Sequence, residues 1–170
     1  MKKFHRWLLA LAVSIASLPV FAAGADWGTH DAAEYAFGAV PPGPSFGDAY
    51  TFSLASQSDL SASAVANNLL PAFGLTSGLV QLFKVEAGPD QLVGAFAFDG
   101  TTGETPYTFS SLASGDYFYL VSGFVSGVHG ALYSLASTVT PVPEPGMSLL
   151  FVAGLLGLGV IARRRMTDQS

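Results

Sequence analysis

Between residues 33 and 139 apolar and polar side chains alternate in short stretches, separated by glycine, proline and aspartate. A period of two is the mark of a strand with one face in the core. Ala33, Tyr35, Phe37 and Ala39 share one parity, and Pro41 and Pro42 end their run. Phe46, Tyr50, Phe52 and Leu54 share the next, and Leu60, Ala62, Ala64 and Ala66 make a stripe of small residues. Residues 79–85 are apolar at both parities apart from Gln81 and Lys84, which predicts an interior strand. Leu92, Phe96 and Phe98 follow, then Tyr107 and Phe109. Tyr117, Tyr119 and Val121 face one way and Phe118 and Leu120 the other, and residues 131–139 close the series. Turn signals fall between the runs at Gly88-Pro89-Asp90, Asp99-Gly100, Ser114-Gly115-Asp116 and His129-Gly130. The pattern predicts an all-β chain with a single β-sandwich or jelly-roll-like domain of seven to eight short strands.

The ends follow a different pattern. Lys2, Lys3 and Arg6 precede an apolar stretch over residues 7–18, and Val20-Phe21-Ala22 places small residues where a signal peptidase reads them. This predicts a signal peptide over residues 1–22, cut after Ala22, with a cut after Ala23 as the second choice. At the other end Pro143-Glu144-Pro145 precedes an apolar run over residues 147–162, which stops at Arg163, Arg164 and Arg165. As a helix that run is about 24 Å long, a little short of the ~30 Å hydrocarbon core, a gap that snorkelling arginines can cover. The arginines mark the cytoplasmic side, so the expected transmembrane helix runs from outside to inside. The expected organisation is an exported β-sandwich over residues 23–139, a short stiff linker over 139–142, an anchor segment within 140–165, and a cytoplasmic tail over 166–170.

The overall charge of −5 conceals how unevenly it is spread. Six of the seven basic residues lie in the two end segments, leaving Lys84 alone against ten acids between residues 23 and 142, a formal charge of −9. Such a body does not bind nucleic acid by phosphate neutralisation and is repelled by anionic lipid. Cations, neutral polysaccharide and other proteins stay open as partners. No cysteine is present, so an exported domain must hold by its core alone, with no disulfide, zinc-thiolate site or cysteine nucleophile. Nothing in the sequence implies a cofactor.

One residue breaks the apolar stripe. Asp48 shares its parity with Phe46, Tyr50 and Phe52. A carboxylate on an apolar face must be hydrogen-bonded, paired or metal-bound. Asp48 is expected to cap a turn at the start of its strand, with a calcium or glycan contact as the alternative. Gly43-Pro44-Ser45-Phe46-Gly47 matches the G-x-S-x-G string, but prolines precede it and a strand pattern follows, where a nucleophile elbow needs strand then helix. His30, in Trp27-Gly28-Thr29-His30-Asp31, admits a His-Asp pair but fits better in an N-terminal turn pinned by its tryptophan. Asp99 and Glu104 bracket a Gly-Thr-Thr-Gly turn that has too few oxygen ligands for a calcium loop. No catalytic residue and no metal site are expected.

Pro143-Glu144-Pro145, the apolar run and Arg163-Arg164-Arg165 together resemble the bacterial PEP-CTERM sorting signal. The resemblance implies recognition by an exosortase, a membrane protease, after export through the secretion machinery and signal peptidase. It further implies transient anchoring in the inner membrane, then release to the cell surface or exopolysaccharide matrix of a Gram-negative bacterium. Phe46-x-Asp48-x-Tyr50, with Asp99 to Gly103 and Gly115-Asp116-Tyr117, is similar to the PEP-CTERM subgroup named for its Phe-x-Asp-x-Phe motif, with tyrosine at the last position. Residues 112–135 also resemble the C-terminal half of bacterial pre-peptidase domains, which are non-catalytic β-sandwiches. The expected function is a non-enzymatic structural or adhesive protein, with a carbohydrate-binding module as the alternative. Aromatic side chains exposed on one sheet face would favour the alternative.

Overall fold

The computed structural model describes residues 24–142 and 150–156. Its strands are β1 (Ala25–Thr29), β2 (Glu34–Val40), β3 (Ser45–Leu54), β4 (Ser58–Ala66), β5 (Leu75–Lys84), β6 (Gln91–Phe98), β7 (Tyr107–Leu112), β8 (Gly115–Val125) and β9 (Ala131–Pro141). They form a five-stranded sheet in the order β1-β3-β8-β5-β6 and a four-stranded sheet in the order β2-β9-β4-β7. The chain is all-β, as its alternation predicts, with nine strands among the described residues where seven to eight were expected. The additional strand is β1, five residues too mixed in polarity to show alternation, which pairs in parallel with β3.

The chain changes sheet at nearly every connection, and β5–β6 is the one pair of consecutive strands that are also neighbours. The inner faces of the two sheets make the core. Phe46, Tyr50, Phe52 and Leu54 of β3 and Leu60, Ala62, Ala64 and Ala66 of β4 are all buried, as their parity predicts, on the inner faces of the two sheets. Tyr117, Tyr119 and Val121 of β8 are also inside, opposite Tyr133 and Leu135 of β9. Among the described residues, every core residue lies between 36 and 135, with Trp27 and Val139 packed on its margin. Residues 24–142 therefore carry both sheets and the hydrophobic interior between them.

Three expectations need correction. Tyr35 and Phe37 point outward, and Ala36, Gly38 and Val40 are the buried face of β2. Either parity of this run reads as apolar, and the inward one was chosen by Tyr133, whose ring fills the place a side chain at residue 38 would need. Leu92 is half-exposed although Phe98, of the same parity, is buried. The pairing steps from Leu82↔Gly94 to Phe83↔Leu92, so Val93 is an extra residue that turns Leu92 to the outer face. The expected linker over 139–142 is mostly strand, because β9 runs on to Pro141 beside Ser58. β2 pairs with β9 only as far as Ser137, so Pro141 stands where one side of β9 is open and its missing N–H costs no ladder bond.

Residues 150–156 are helical and exposed, consistent with an apolar segment standing outside the sandwich. No helix among the described residues is long and apolar enough to cross a membrane. Ala22, Ala23, Pro143, Glu144, Pro145, Arg163, Arg164 and Arg165 lie outside the described residues.

Candidate functional site

Two polar clusters sit inside the sandwich. The first is built on Asp48, which is fully buried and is the fourth residue of β3, inside the strand rather than at its entry. Its Oδ2 accepts a hydrogen bond from the Tyr133 hydroxyl at 2.5 Å, and the Tyr133 and Tyr50 hydroxyls are 2.7 Å apart. With the Tyr133 proton directed at Asp48, Tyr50 is the donor between the two tyrosines. The acid thus joins the sheets, β3 on one side and β9 on the other. Burial, with the Asp48 and Tyr50 contacts adding to it, pushes the Tyr133 hydroxyl well above the usual phenol range. Burial also raises Tyr50.

The second cluster was missed in the sequence. His30 Nε2 lies 2.8 Å from Ser137 Oγ, which is 3.0 Å from the Tyr119 hydroxyl. His30 follows β1 directly and its backbone N–H donates to Ser53 O at 2.9 Å. The ring is packed edge-on against Trp27 and Phe52, with centroids 5.8 and 5.2 Å away. Its pKa is pushed down by burial, against the raising influence of Glu34, the Ala32 backbone and Asp31. His30 Nδ1 is buried without a hydrogen-bond partner. The expected N-terminal turn is instead strand, since Trp27 to Thr29 belong to β1, and the ring's hydrogen-bond partner is Ser137, not Asp31. A serine beside a histidine invites a hydrolytic reading, but both are buried and no carboxylate holds Nδ1. A nucleophile needs access and an oriented base, so this pair serves the core.

Several of the other acids are engaged in local structure. Asp99 Oδ1 accepts from the Thr101 N–H and hydroxyl, both at 2.7 Å, and these bonds hold its carboxyl below the usual range. Asp26 Oδ1 accepts from Gly28 N–H at 3.0 Å and Thr51 Oγ1 at 3.1 Å, at one side of an open cleft of about 340 Å³. Lys84 pairs with Glu86 at 2.7 Å. Among the described residues no three His, Cys, Asp or Glu side chains are grouped to hold a metal ion. Ser45 of the G-x-S-x-G string opens β3, a strand, with no helix after it.

What is open to a ligand is the outer side of each sheet. On the five-stranded sheet Phe83 and Phe118 face each other across β5–β8, stacked at 5.0 Å and 11°. With Ala49, Thr51, Asp90 and Leu120 they line a depression of about 420 Å³. Both rings are half-buried and each covers a face of the other. On the four-stranded sheet Tyr35 and Phe37 are 66% and 80% exposed, on adjacent outward positions of β2. Phe37 pairs across to Ser134 and on to Val65, while Tyr35 pairs to Ala136 and on to Ser63. The result is a shallow trough of about 160 Å³ with an aromatic wall and a floor of small and hydroxylated residues; Val65 and Gly103 help to line it. No residue lining it is charged.

No family model matches the sequence, and no curated protein matches it. Among solved structures, the chain is similar to a mutant of PliG-Ec, a periplasmic lysozyme inhibitor of g-type lysozyme from Escherichia coli. That match has 12% identity over 69% of this chain and 98% of that one, with a TM-score of 0.39. The corresponding inhibitor from Salmonella Typhimurium matches at 16% identity over 69% and 100%, also with a TM-score of 0.39. Likeness at this level carries neither a shared fold nor a shared role, so the site is read from this chain's own residues. Tyr35, Phe37 and their trough are the candidate.

Proposed function

We propose that this chain is an exported, non-enzymatic surface or matrix protein that adheres to neutral polysaccharide through the outer face of its four-stranded sheet. The supporting observation is the exposure of Tyr35 and Phe37 side by side over an uncharged floor. Residues two apart on a strand are about 6.8 Å apart, so the rings offer consecutive stacking surfaces to a chain of sugar rings. The Ser63 and Ser134 hydroxyls on the floor supply hydrogen-bonding groups that match sugar hydroxyls. The acid-rich body disfavours anionic polymers, which leaves neutral ones.

The route to that location rests on the resemblance of residues 143–165 to a PEP-CTERM signal. Signal peptidase removes the N-terminal segment, the apolar run holds the chain transiently in the inner membrane, and an exosortase acts at Pro143-Glu144-Pro145. The body then joins the cell surface or exopolysaccharide matrix.

Affinity electrophoresis of residues 24–142 in gels cast with neutral polysaccharides tests the binding. Retardation in at least one gel, lost in Tyr35→Ala and Phe37→Ala, supports the reading. Equal mobility of wild type and both variants in every gel removes glycan binding and leaves a structural role.

A further inference from the structure

Two sheets have four edges, and the fold treats one of them differently. β1, an edge of the five-stranded sheet, carries a bulge between Asp26 and Thr29, with Gly28 at φ 66°. β6, the opposite edge, is bulged at Val93. β7, an edge of the four-stranded sheet, is bulged beside Ser111, which takes φ 57° and donates its N–H to Asp59 Oδ1 at 2.6 Å. A bulge twists an edge and spoils it as a template for another strand. β2 has none. Its seven residues pair with β9 in unbroken register from Glu34↔Ser137 to Val40↔Ala131. It contains no proline and no lysine, and its one acid, Glu34, is half-buried at its first position, on the inward parity at the very end of the strand. Among the described residues, its other side faces no strand.

We infer that β2 pairs antiparallel with β2 of a second copy of this chain, joining the two four-stranded sheets into one continuous sheet. The strand is its own best complement. Full overlap sets Phe37 against Phe37, Tyr35 against Ala39, Ala36 against Gly38, and Glu34 against Val40. The outer face gains an aromatic cross-strand pair, a favourable contact in sheets. On the inner face the central pairs set Ala36 against Gly38, small residue against small residue, and Glu34 stands beside Val40 only at the two ends. The two Glu34 carboxylates fall at opposite ends, about 20 Å apart at ~3.4 Å per residue and beyond the ~8 Å screening length of physiological salt. Pro41 and Pro42 stop the ladder after Val40. The pairing is isologous and closes at two copies, so it makes a dimer rather than a filament. It does not depend on the ligand of the outer face, although it would bring two copies of the Tyr35–Phe37 wall together.

Sedimentation equilibrium of residues 24–142 from micromolar to millimolar concentration tests the inference. The expected result is a monomer–dimer equilibrium. Ala39→Lys, an outward position away from the rings, should shift it at least tenfold toward monomer with an unchanged far-ultraviolet spectrum. Tyr35→Lys, also exposed, should do the same and serves if the first variant folds poorly. Amide hydrogen exchange adds a readout without mutation, because the β2 amides directed away from β9 should gain protection as concentration rises. A wild type that stays monomeric over the whole range, or a dimer that Ala39→Lys leaves intact, overturns it.

Discussion

Gly38 and Tyr133 stand opposite each other across the β2–β9 ladder, and the glycine's missing side chain is the space that the tyrosine ring occupies. A Cβ at residue 38 would overlap that ring. The same ring carries the hydroxyl that donates to Asp48 on the facing sheet. One small residue on an edge strand therefore governs the polar contact between the sheets.

Gly38→Ala should destabilise the body by roughly 1–3 kcal/mol, the range for forcing extra volume into a packed core. Gly43→Ala, where an added Cβ meets nothing within 4 Å, should stay within about 0.5 kcal/mol. Urea unfolding of both compares them directly, and equal midpoints would show that the ring yields freely.

Asp48→Ala removes the acceptor of a buried hydroxyl and should cost roughly 1–3 kcal/mol. Asp48→Asn keeps a carbonyl acceptor and should cost less. Melting should be insensitive to EDTA in all three forms. A calcium-dependent rise in melting temperature, present in the wild type and lost in Asp48→Ala, would reassign Asp48 as a metal ligand.

His30 makes stability depend on pH in a definite direction. Burial lowers its folded pKa below the ordinary 6.5, so the unfolded chain takes up a proton before the folded one does. Stability should be level above about pH 7 and fall as pH drops below 6.5 toward the folded pKa. Denaturation measured between pH 7 and pH 5, above the main carboxylate range, should show this slope in the wild type and not in His30→Gln. A slope that persists in the variant would assign it to other groups.

Tyr35→Ala and Phe37→Ala should leave the unfolding midpoint almost unchanged, because both rings are in solvent. Phe52→Ala, at 3% exposure, should cost about 3–5 kcal/mol. Retained stability with lost polysaccharide retardation separates a binding role from a packing one.

Glu144 is the only charged residue between Asp116 and Arg163. If a processing protease recognises it ionically, Glu144→Gln should accumulate uncut in the membrane of an exosortase-bearing host. Normal release of the body from that host would make Glu144 a spacer and leave the prolines and the apolar run as the signal.

The alternation of Phe46 to Leu54, the small stripe of Leu60 to Ala66 and the split of Tyr117 to Val121 were legible because each run had one plainly apolar parity. The division into an acid-rich body and basic ends was legible because charge needs no fold to be counted. Asp48 stood out as an acid in an apolar parity, and Ser137 gave the same signal more faintly beside Tyr133 and Leu135. Their partners were not legible. Tyr133 lies 85 residues from Asp48, and Ser137 lies 107 from His30. Such contacts arise only when strands from different sheets are laid face to face. In β2 both parities were apolar, so sequence could not say whether Tyr35 and Phe37 or Ala36, Gly38 and Val40 would be inside. Tertiary packing decided it, because only the glycine side of β2 has room for the Tyr133 ring, and that choice put both aromatics in solvent.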